Sequence, residues 1–316
     1  MTIGYRDGVS IAEIAVYVPG LVIAIYLSIH HGFSRSAGWY FLVIFTLARV
    51  LGACLQLATI SSPTNINLYI GYGILSNIGL SPLMLAALGL LSRLVDNINR
   101  THRTFISHRM FKLVELVIIV GLILGIVGGV EAGNNFTSTG TFVPGTLNKV
   151  GTALFIVCYV AIVLSTILLS FSIQHATHGE KRILFAVAIS LPFLLVRLVY
   201  SIMSTIVHNN KFNLLDGNVT ILLCVAYIEE VVVVIVYEGT GLTLAQVPKE
   251  SGFNDTPLVQ EADGAQYTTA TPRSKPSSAG QKVLKVAKYT IIGRIITSFI
   301  PERDHDVEMQ KQQGRR

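Results

Sequence analysis

Five polar side chains stand deep inside apolar sequence: Arg49, Asn77, Arg197, Glu229 and Glu230. A guanidinium is a fixed cation that only donates hydrogen bonds, and a carboxyl is either an acceptor or, protonated, an acid. Held together away from water, such groups can grip a carbonyl or an anion, or pass a proton to a weak base. Tyr69, Tyr72, Tyr200 and Tyr227 add hydroxyls and π faces to the same stretches. Ionisable residues in apolar spans cost several kcal/mol unless they pair or face water, so they mark a site by default. The competing interpretation is a set of interhelical ion pairs that only hold helices together. One Arg–Glu pair would satisfy that; two arginines, two adjacent glutamates and several tyrosines exceed it.

The elements carrying these residues are seven apolar runs, Ile11–Ile29, Trp39–Ile60, Asn67–Leu91, Lys112–Ala132, Asn148–Ser172, Ile183–Val207 and Val219–Glu238. Each reaches the roughly 20 residues that a helix needs to cross a hydrocarbon core of about 30 Å. The chain of 316 residues is 51% hydrophobic and 13% charged, with a mean hydropathy of +0.59. A soluble domain carries about 25% charged residues, so a soluble enzyme, a disordered regulator and a nucleic-acid-binding domain are excluded. The expected fold is all-α, a polytopic bundle of seven transmembrane helices over residues 1–244. The first run is too long and its flanks too weakly basic for a removable leader, and it is read as a retained helix.

Depth and phase place the polar residues together. Arg49 lies ten residues after the start of its run, Asn77 ten, Arg197 fourteen, and Glu229 and Glu230 about eleven. At about 1.5 Å of rise per residue these are similar levels, near mid-membrane. Thr46, Arg49, Ala53, Gln56 and Thr59 form one stripe, and Arg197, Tyr200, Ser201, Ser204 and His208 another. Tyr227, Glu230 and Tyr237 share a face, whereas Glu229 is turned by about 100° among Val225, Val232, Val233 and Val236. Glu230 is therefore favoured as the inward acid. Gly71, Gly73 and Gly79 let backbones approach, and Pro82 and Pro192 are expected to kink their helices. Glu13, Glu115, Glu131 and Glu238 lie nearer the ends and are expected at the interface, with Glu115 able to reach inward.

Basic residues set the expected orientation. Loops after spans 1, 3 and 5 hold Arg35, Arg93, Arg100, Arg103, Arg109, Lys112, Lys181 and Arg182; the opposite side holds Arg6, Lys149 and Lys211. This bias places the N-terminus outside or in a lumen and the C-terminus in the cytoplasm. It accounts for the +6 net charge without a nucleic-acid partner. The sequon Asn135-Phe136-Thr137 then falls on the lumenal side as a glycosylation site. Asn99-Arg100-Thr101 falls on the silent side, and Asn218-Val219-Thr220 lies too close to a span. Residues 245–281 and 301–316 are expected to be disordered. Between them, 282–300 carry Leu284, Ala287, Ile291, Ile295 and Phe299 at helical spacing with interleaved Lys and Arg, which suits a cytoplasmic lipid surface or a solvated tail equally.

Several chemistries lack their residues. Cys54, Cys158 and Cys224 all lie inside apolar runs and are expected to be small packing residues. His175 and His178 have no carboxylate or thiol ligand beside them, so no metal is expected, and no cofactor. The last span has no lysine for a retinal Schiff base. The third and last spans lack the acidic-Arg-aromatic and Asn-Pro signatures of common seven-helix receptors. No internal repeat of the transporter kind and no Walker, zinc-protease or nucleophile-elbow sequence is present.

The segments Ser76-Asn77-Ile78-Gly79-Leu80-Ser81-Pro82-Leu83 and Tyr227-Ile228-Glu229-Glu230-Val231-Val232-Val233 carry a resemblance. Over about residues 10–245 the chain resembles a family of fungal seven-helix integral membrane proteins, some of which sit among the membrane-bound terpene cyclases of meroterpenoid pathways. The resemblance implies a metal-independent cyclase that closes a polyprenyl chain by protonating an epoxide or alkene. Such a step needs an acid held neutral in a dry pocket, and burial disfavours a charged carboxyl. On that implication Glu230 or Glu229 is the acid, while Arg49, Asn77, Arg197, Tyr200, Tyr227 and Tyr72 bind the substrate. Phe193 and Tyr69 would extend the aromatic wall. The partners are then a lipid-soluble prenylated molecule and membrane lipids, and the endoplasmic reticulum is favoured over the plasma membrane. The alternative is a non-enzymatic protein that binds or exports a lipid or small molecule, with Arg49 and Arg197 holding an anionic head. A third interpretation is a scaffold whose tail recruits partners.

Overall fold

In the computed structural model, the described residues are 4–31, 37–99, 108–139, 144–175, 179–207 and 219–244; for Ala37, His108, residues 135–139 and His175 only the backbone is described. The described residues form helices and connecting turns. They are α1 (Tyr5–His31), α2 (Ala37–Ser61), α3 (Ile66–Ile78), α4 (Leu80–Asn99), α5 (His108–Thr139), α6 (Thr146–Ser172), α7 (Lys181–Thr205), α8 (Val219–Leu222) and α9 (Ile228–Thr243). Among the described residues, seven stretches are long and apolar enough to cross a membrane: Tyr5–His31, Gly38–Ser61, Ile66–Asn99, Arg109–Asn134, Thr146–Ser172, Lys181–Thr205 and Val219–Thr243. The chain is thus a multi-pass helical membrane protein, with each expected run inside one observed span except for the last two residues of the sixth. The sequon at Asn135 falls in the final turns of α5, with its side chain outside the described residues, as are His208, His178 and the tail from residue 245.

Helix α4 is the centre of the bundle. Leu80 through Ala87 are all buried, as are Leu90, Leu91, Leu94, Val95 and Ile98. A helix apolar on every face belongs inside other protein. Around it α1 packs on α2 and α9, α2 on α3 and α4, and α7 on α4, α6 and α9. Between helices in lipid, close packing replaces the hydrophobic effect as the attractive term. Small residues provide it here. A methyl on Gly38 would lie 3.1 Å from the Ala86 carbonyl oxygen, and one on Gly241 would lie 2.6 Å from the Trp39 ring.

Two spans are irregular where they carry the polar residues. In the third span α3 passes into α4 at Gly79, whose backbone stays in the helical region. Proline removes the N–H that would bond the carbonyl four residues earlier. At Pro82 that carbonyl belongs to Ile78, and Ser81 Oγ donates to it instead at 2.9 Å. Pro192 and Pro19 lie inside α7 and α1 without interrupting them. In the last span a π-helical turn, Leu223–Tyr227, joins α8 to α9, and the Ile228 N–H reaches back to the Leu223 carbonyl. Such single wide turns cluster at functional sites.

Candidate functional site

The two arginines meet at one carboxylate. Arg197 Nε donates to Glu230 Oε1 at 2.6 Å, and Arg49 Nη2 pairs with Glu230 Oε2. All three side chains are buried, at 2%, 2% and 1% exposure. Ser76, in the last turn of α3, offers its backbone carbonyl. Its oxygen accepts from Arg197 Nη2 at 3.0 Å and from Arg49 Nη2 at 3.4 Å. The missing side chain of Gly79 leaves room for this meeting. A methyl there would stand 2.5 Å from Arg49 Nη2 and 3.0 Å from Glu230 Oε1.

The second acid comes from α1. Glu13 Oε1 lies 3.9 Å from Arg49 Nη1, and the residue is buried. The expectation that Glu13 is interfacial is corrected. Helix α1 starts at Tyr5, six residues ahead of the apolar run, so Glu13 is already more than two turns inside. Glu238 is corrected likewise: α9 continues to Thr243, and Glu238 is buried beside Gly20. Glu229 is half-buried and joins neither arginine; one buried oxygen has no hydrogen-bond partner. Charge balance in the cluster is therefore supplied by Glu13 and Glu230, not by the adjacent pair Glu229 and Glu230.

Aromatic groups enclose one side. The Arg49 guanidinium lies 4.9 Å from the Tyr227 ring centre and 5.6 Å from that of Phe45, whose edge meets Tyr17. Tyr227 and Tyr72 share a hydroxyl–hydroxyl bond of 2.9 Å, with Ser76 Oγ 3.4 Å from the Tyr227 oxygen. The predicted stripe Thr46, Arg49, Ala53, Gln56 and Thr59 is buried along its whole length, and Gln56 Nε2 donates to Asp7 Oδ1 at 3.3 Å.

Arg197 closes a second set of contacts on α7. Its Nη1 donates to Ser201 Oγ at 2.8 Å, and its guanidinium carbon lies 5.5 Å from the Tyr200 ring centre. Ser201 and Tyr200 also line a cavity of about 20 Å³ with Asn77, Asn148, Ser204 and Thr205. Asn77 thus faces this cavity, half-buried. Phe193 and Tyr69 are half-buried. A space this small fits about one water, not a polyprenyl chain.

The sequence reading missed a second polar knot. Arg93 on α4 donates from Nε and Nη2 to Glu180, at 3.2 Å and 2.7 Å, just ahead of α7. His31 Nε2 donates to the Gly241 carbonyl at 3.0 Å, and Nδ1 accepts from Arg93 Nη1 at 3.4 Å. The His31 ring stacks on Trp39. The knot ties α1, α2, α4, α7 and α9 at the end where α1 finishes and α7 begins. Its sequence signal was weak, because Arg93 also fits the basic-loop pattern.

Chemically, the central cluster is an acceptor carboxylate clamped by two donors. Glu230 Oε1 accepts a hydrogen bond from Arg197, and Oε2, ion-paired with Arg49, accepts none, so each oxygen lies against a guanidinium. Glu13 Oε1 takes no hydrogen bond. No group of three or more metal-ligating side chains occurs among the described residues. No curated protein and no solved structure matches the chain. A family model does match, over residues 3–247 and so over the whole bundle, and the chain belongs to that family, a domain of unknown function (DUF7702).

Proposed function

We propose that this membrane protein binds a small lipid-soluble molecule with a hydrogen-bond acceptor, through the Arg49 side of the charge cluster. One observation carries this reading: Arg49 is buried, yet its Nε has no acceptor and its Nη1 stands 3.9 Å from the nearest carboxylate oxygen of Glu13. Buried donors are almost always paired, and a guanidinium suits planar carboxylate or carbonyl oxygens. A ligand oxygen would fill those positions, with Tyr227, Tyr72 and Phe45 against its body. The test uses the full chain in phospholipid vesicles and a photoactivatable farnesylated benzoic acid. Saturable labelling that Arg49→Gln abolishes is expected. Labelling that does not saturate, or that Arg49→Gln leaves unchanged, overturns the reading.

The second reading is the terpene cyclase that the resemblance implies, and Glu13 is what favours it. Its carboxyl is buried, and its one ion pair, from Oε1 to Arg49 Nη1, is long at 3.9 Å and makes no hydrogen bond, which suits a proton donor better than Glu230, paired with both arginines. The proton would pass to an epoxide oxygen as its C–O bond breaks, the chain alkenes would close onto the carbon released, and the last cation would lose a proton from a neighbouring carbon to leave an alkene, so that one proton is taken up and one released. Microsomes given a farnesylated epoxide test it. Cyclisation lost in Glu13→Gln but kept in Glu229→Gln supports Glu13. Cyclisation retained in both, and in Glu230→Gln, removes the enzyme reading, as does an unchanged metabolite extract from a deletion strain.

The basic-residue bias supports a cytoplasmic C-terminus and a lumenal Asn135; the endoplasmic reticulum is favoured as the membrane because the cyclase chemistry that the resemblance implies belongs there. A mobility shift on endoglycosidase H treatment that Asn135→Gln removes is the expected result.

A further inference from the structure

We propose that His31 is a proton-operated latch at the end of the bundle where α1 finishes. Neutral, it ties α1 and α9 to the Arg93–Glu180 pair of α4 and α7; protonated, it lets go of Arg93. It acts independently of what the Arg49 side binds. The bonding partners fix the state of the ring. A carbonyl oxygen only accepts a hydrogen bond and a guanidinium only donates. His31 Nε2, 3.0 Å from the Gly241 carbonyl oxygen, therefore carries the hydrogen, and Nδ1, 3.4 Å from Arg93 Nη1, is bare. The neutral Nε2–H tautomer alone makes both bonds. A second proton goes to Nδ1 and turns its N–H toward the N–H of Arg93, so a hydrogen bond is replaced by two cations side by side.

Both sides of that contact are anchored elsewhere. Arg93 is held by Glu180, whose Oε1 accepts from Nη2 at 2.7 Å and whose Oε2 accepts from Nε at 3.2 Å. Both carboxylate oxygens are thus already engaged when His31 becomes charged. His31 is held by Gly241 and by its stack on Trp39, 5.5 Å between ring centres. Charge on the ring strengthens the bond to the Gly241 carbonyl, so the contact that opens is the one to Arg93. The seam it closes lies between α1 with α9 and α4 with α7. Among the described residues, the other titratable groups around the ring are few. His30 on α1 meets it edge-on at 5.0 Å and adds a second cation in acid. Glu238 on α9 lies well down α1, against Gly20, and α2 contributes the uncharged Trp39. His31 is half-buried at the end of its helix, within reach of protons from the membrane surface. Histidine ordinarily titrates at about pH 6.5, so the latch is closed above that range and opens as the pH falls through it.

Two measurements on the full-length chain in lipid nanodiscs test this. The first is nitrogen NMR of histidine-labelled protein, with the His31 signal assigned by its loss in His31→Phe. The Nε2–H neutral tautomer is expected at about pH 8, and the charged ring at about pH 5, on either side of the ordinary value. The second is electron-resonance distance measurement across the seam, between spin labels on Ile29→Cys and Phe185→Cys, both exposed on the native helices, with Cys54, Cys158 and Cys224 changed to alanine. A longer-distance population is expected to grow severalfold on acidification. His31→Gln, which keeps an amide N–H and a carbonyl but takes no proton, should hold the short distance at both pH values. An Nδ1–H or charged ring at about pH 8 overturns the proposal, as does a ring still neutral at about pH 5. So does a label distance that stays fixed while His31 becomes charged, or a pH response that persists in His31→Gln. If either variant does not fold, the tautomer and the pH response of the native His31 still decide.

Discussion

Arg197 and Arg49 share one carboxylate and differ in everything else. Each nitrogen of Arg197 has a partner: Glu230 for Nε, Ser201 for Nη1 and the Ser76 carbonyl for Nη2. Arg49 concentrates its contacts on Nη2 and leaves Nε without one. Both are equally buried, so burial does not separate them. A buried ion pair whose remaining donors are satisfied specifies one packing arrangement, though it adds little net stability over apolar residues. A buried cation with open donors is poorly compensated and is held in place by its surroundings. The difference teaches that the α7–α9 side of the cluster is fully bonded, whereas the α1–α2 side keeps an unused donor on Arg49 Nε.

The contrast breaks most sharply at Arg197. Arg197→Ala leaves Glu230 and Ser76 short of donors in a buried site, a loss of about 3–5 kcal/mol. Arg197→Lys should recover little of it, because an ammonium cannot address three acceptors set in a planar fork. Chemical unfolding in mixed micelles measures both; a Lys variant as stable as the parent would show that the fork does not matter. Next comes Gly79→Ala. The added methyl meets Arg49 Nη2 at 2.5 Å, and overpacking of this kind costs about 1–3 kcal/mol. The same unfolding assay reads it, and a neutral result would mean that the guanidinium has room to move. Smallest is the effect of Glu229→Gln, within about 0.5 kcal/mol, since that side chain is half-buried and outside the cluster. A loss as large as that of Glu230→Gln would return Glu229 to the site and undo the distinction drawn between the two acids.

The two polar knots make a second contrast. Arg93 and Glu180 lie near one end of their helices, at 9% and 10% exposure, and close a bidentate pair. Their role is that of a staple between α4 and the start of α7. The central cluster lacks that simplicity, because it draws on α1, α2, the α3 terminus, α7 and α9 at once.

Much of this was legible in the residues. The seven spans follow from apolar length alone. The stripe of Arg49 with Thr46, Ala53, Gln56 and Thr59 follows from helical period, as does the inward turn of Glu230 with Tyr227 and Tyr237. Glu13 was misplaced because the apolar run begins later than the helix does. Hydropathy marks where a helix meets lipid, and α1 starts with polar residues that face protein: Ser10 is buried, and Gln56 holds Asp7. Asn77 lines a cavity with Tyr200, Ser201 and Ser204 of the predicted α7 stripe, a meeting set by how the helices are rotated against one another.

The sequence by itself determined a membrane bundle and the levels of its charges, because length and period are properties of single helices in a known solvent. Which charges meet was decided only by the tertiary structure. That depends on the missing side chain of Gly79, where a methyl would meet Arg49 and Glu230, and on the Ser76 carbonyl, which lies within reach of both arginines. These are distances between helices, and no pattern along one helix encodes them.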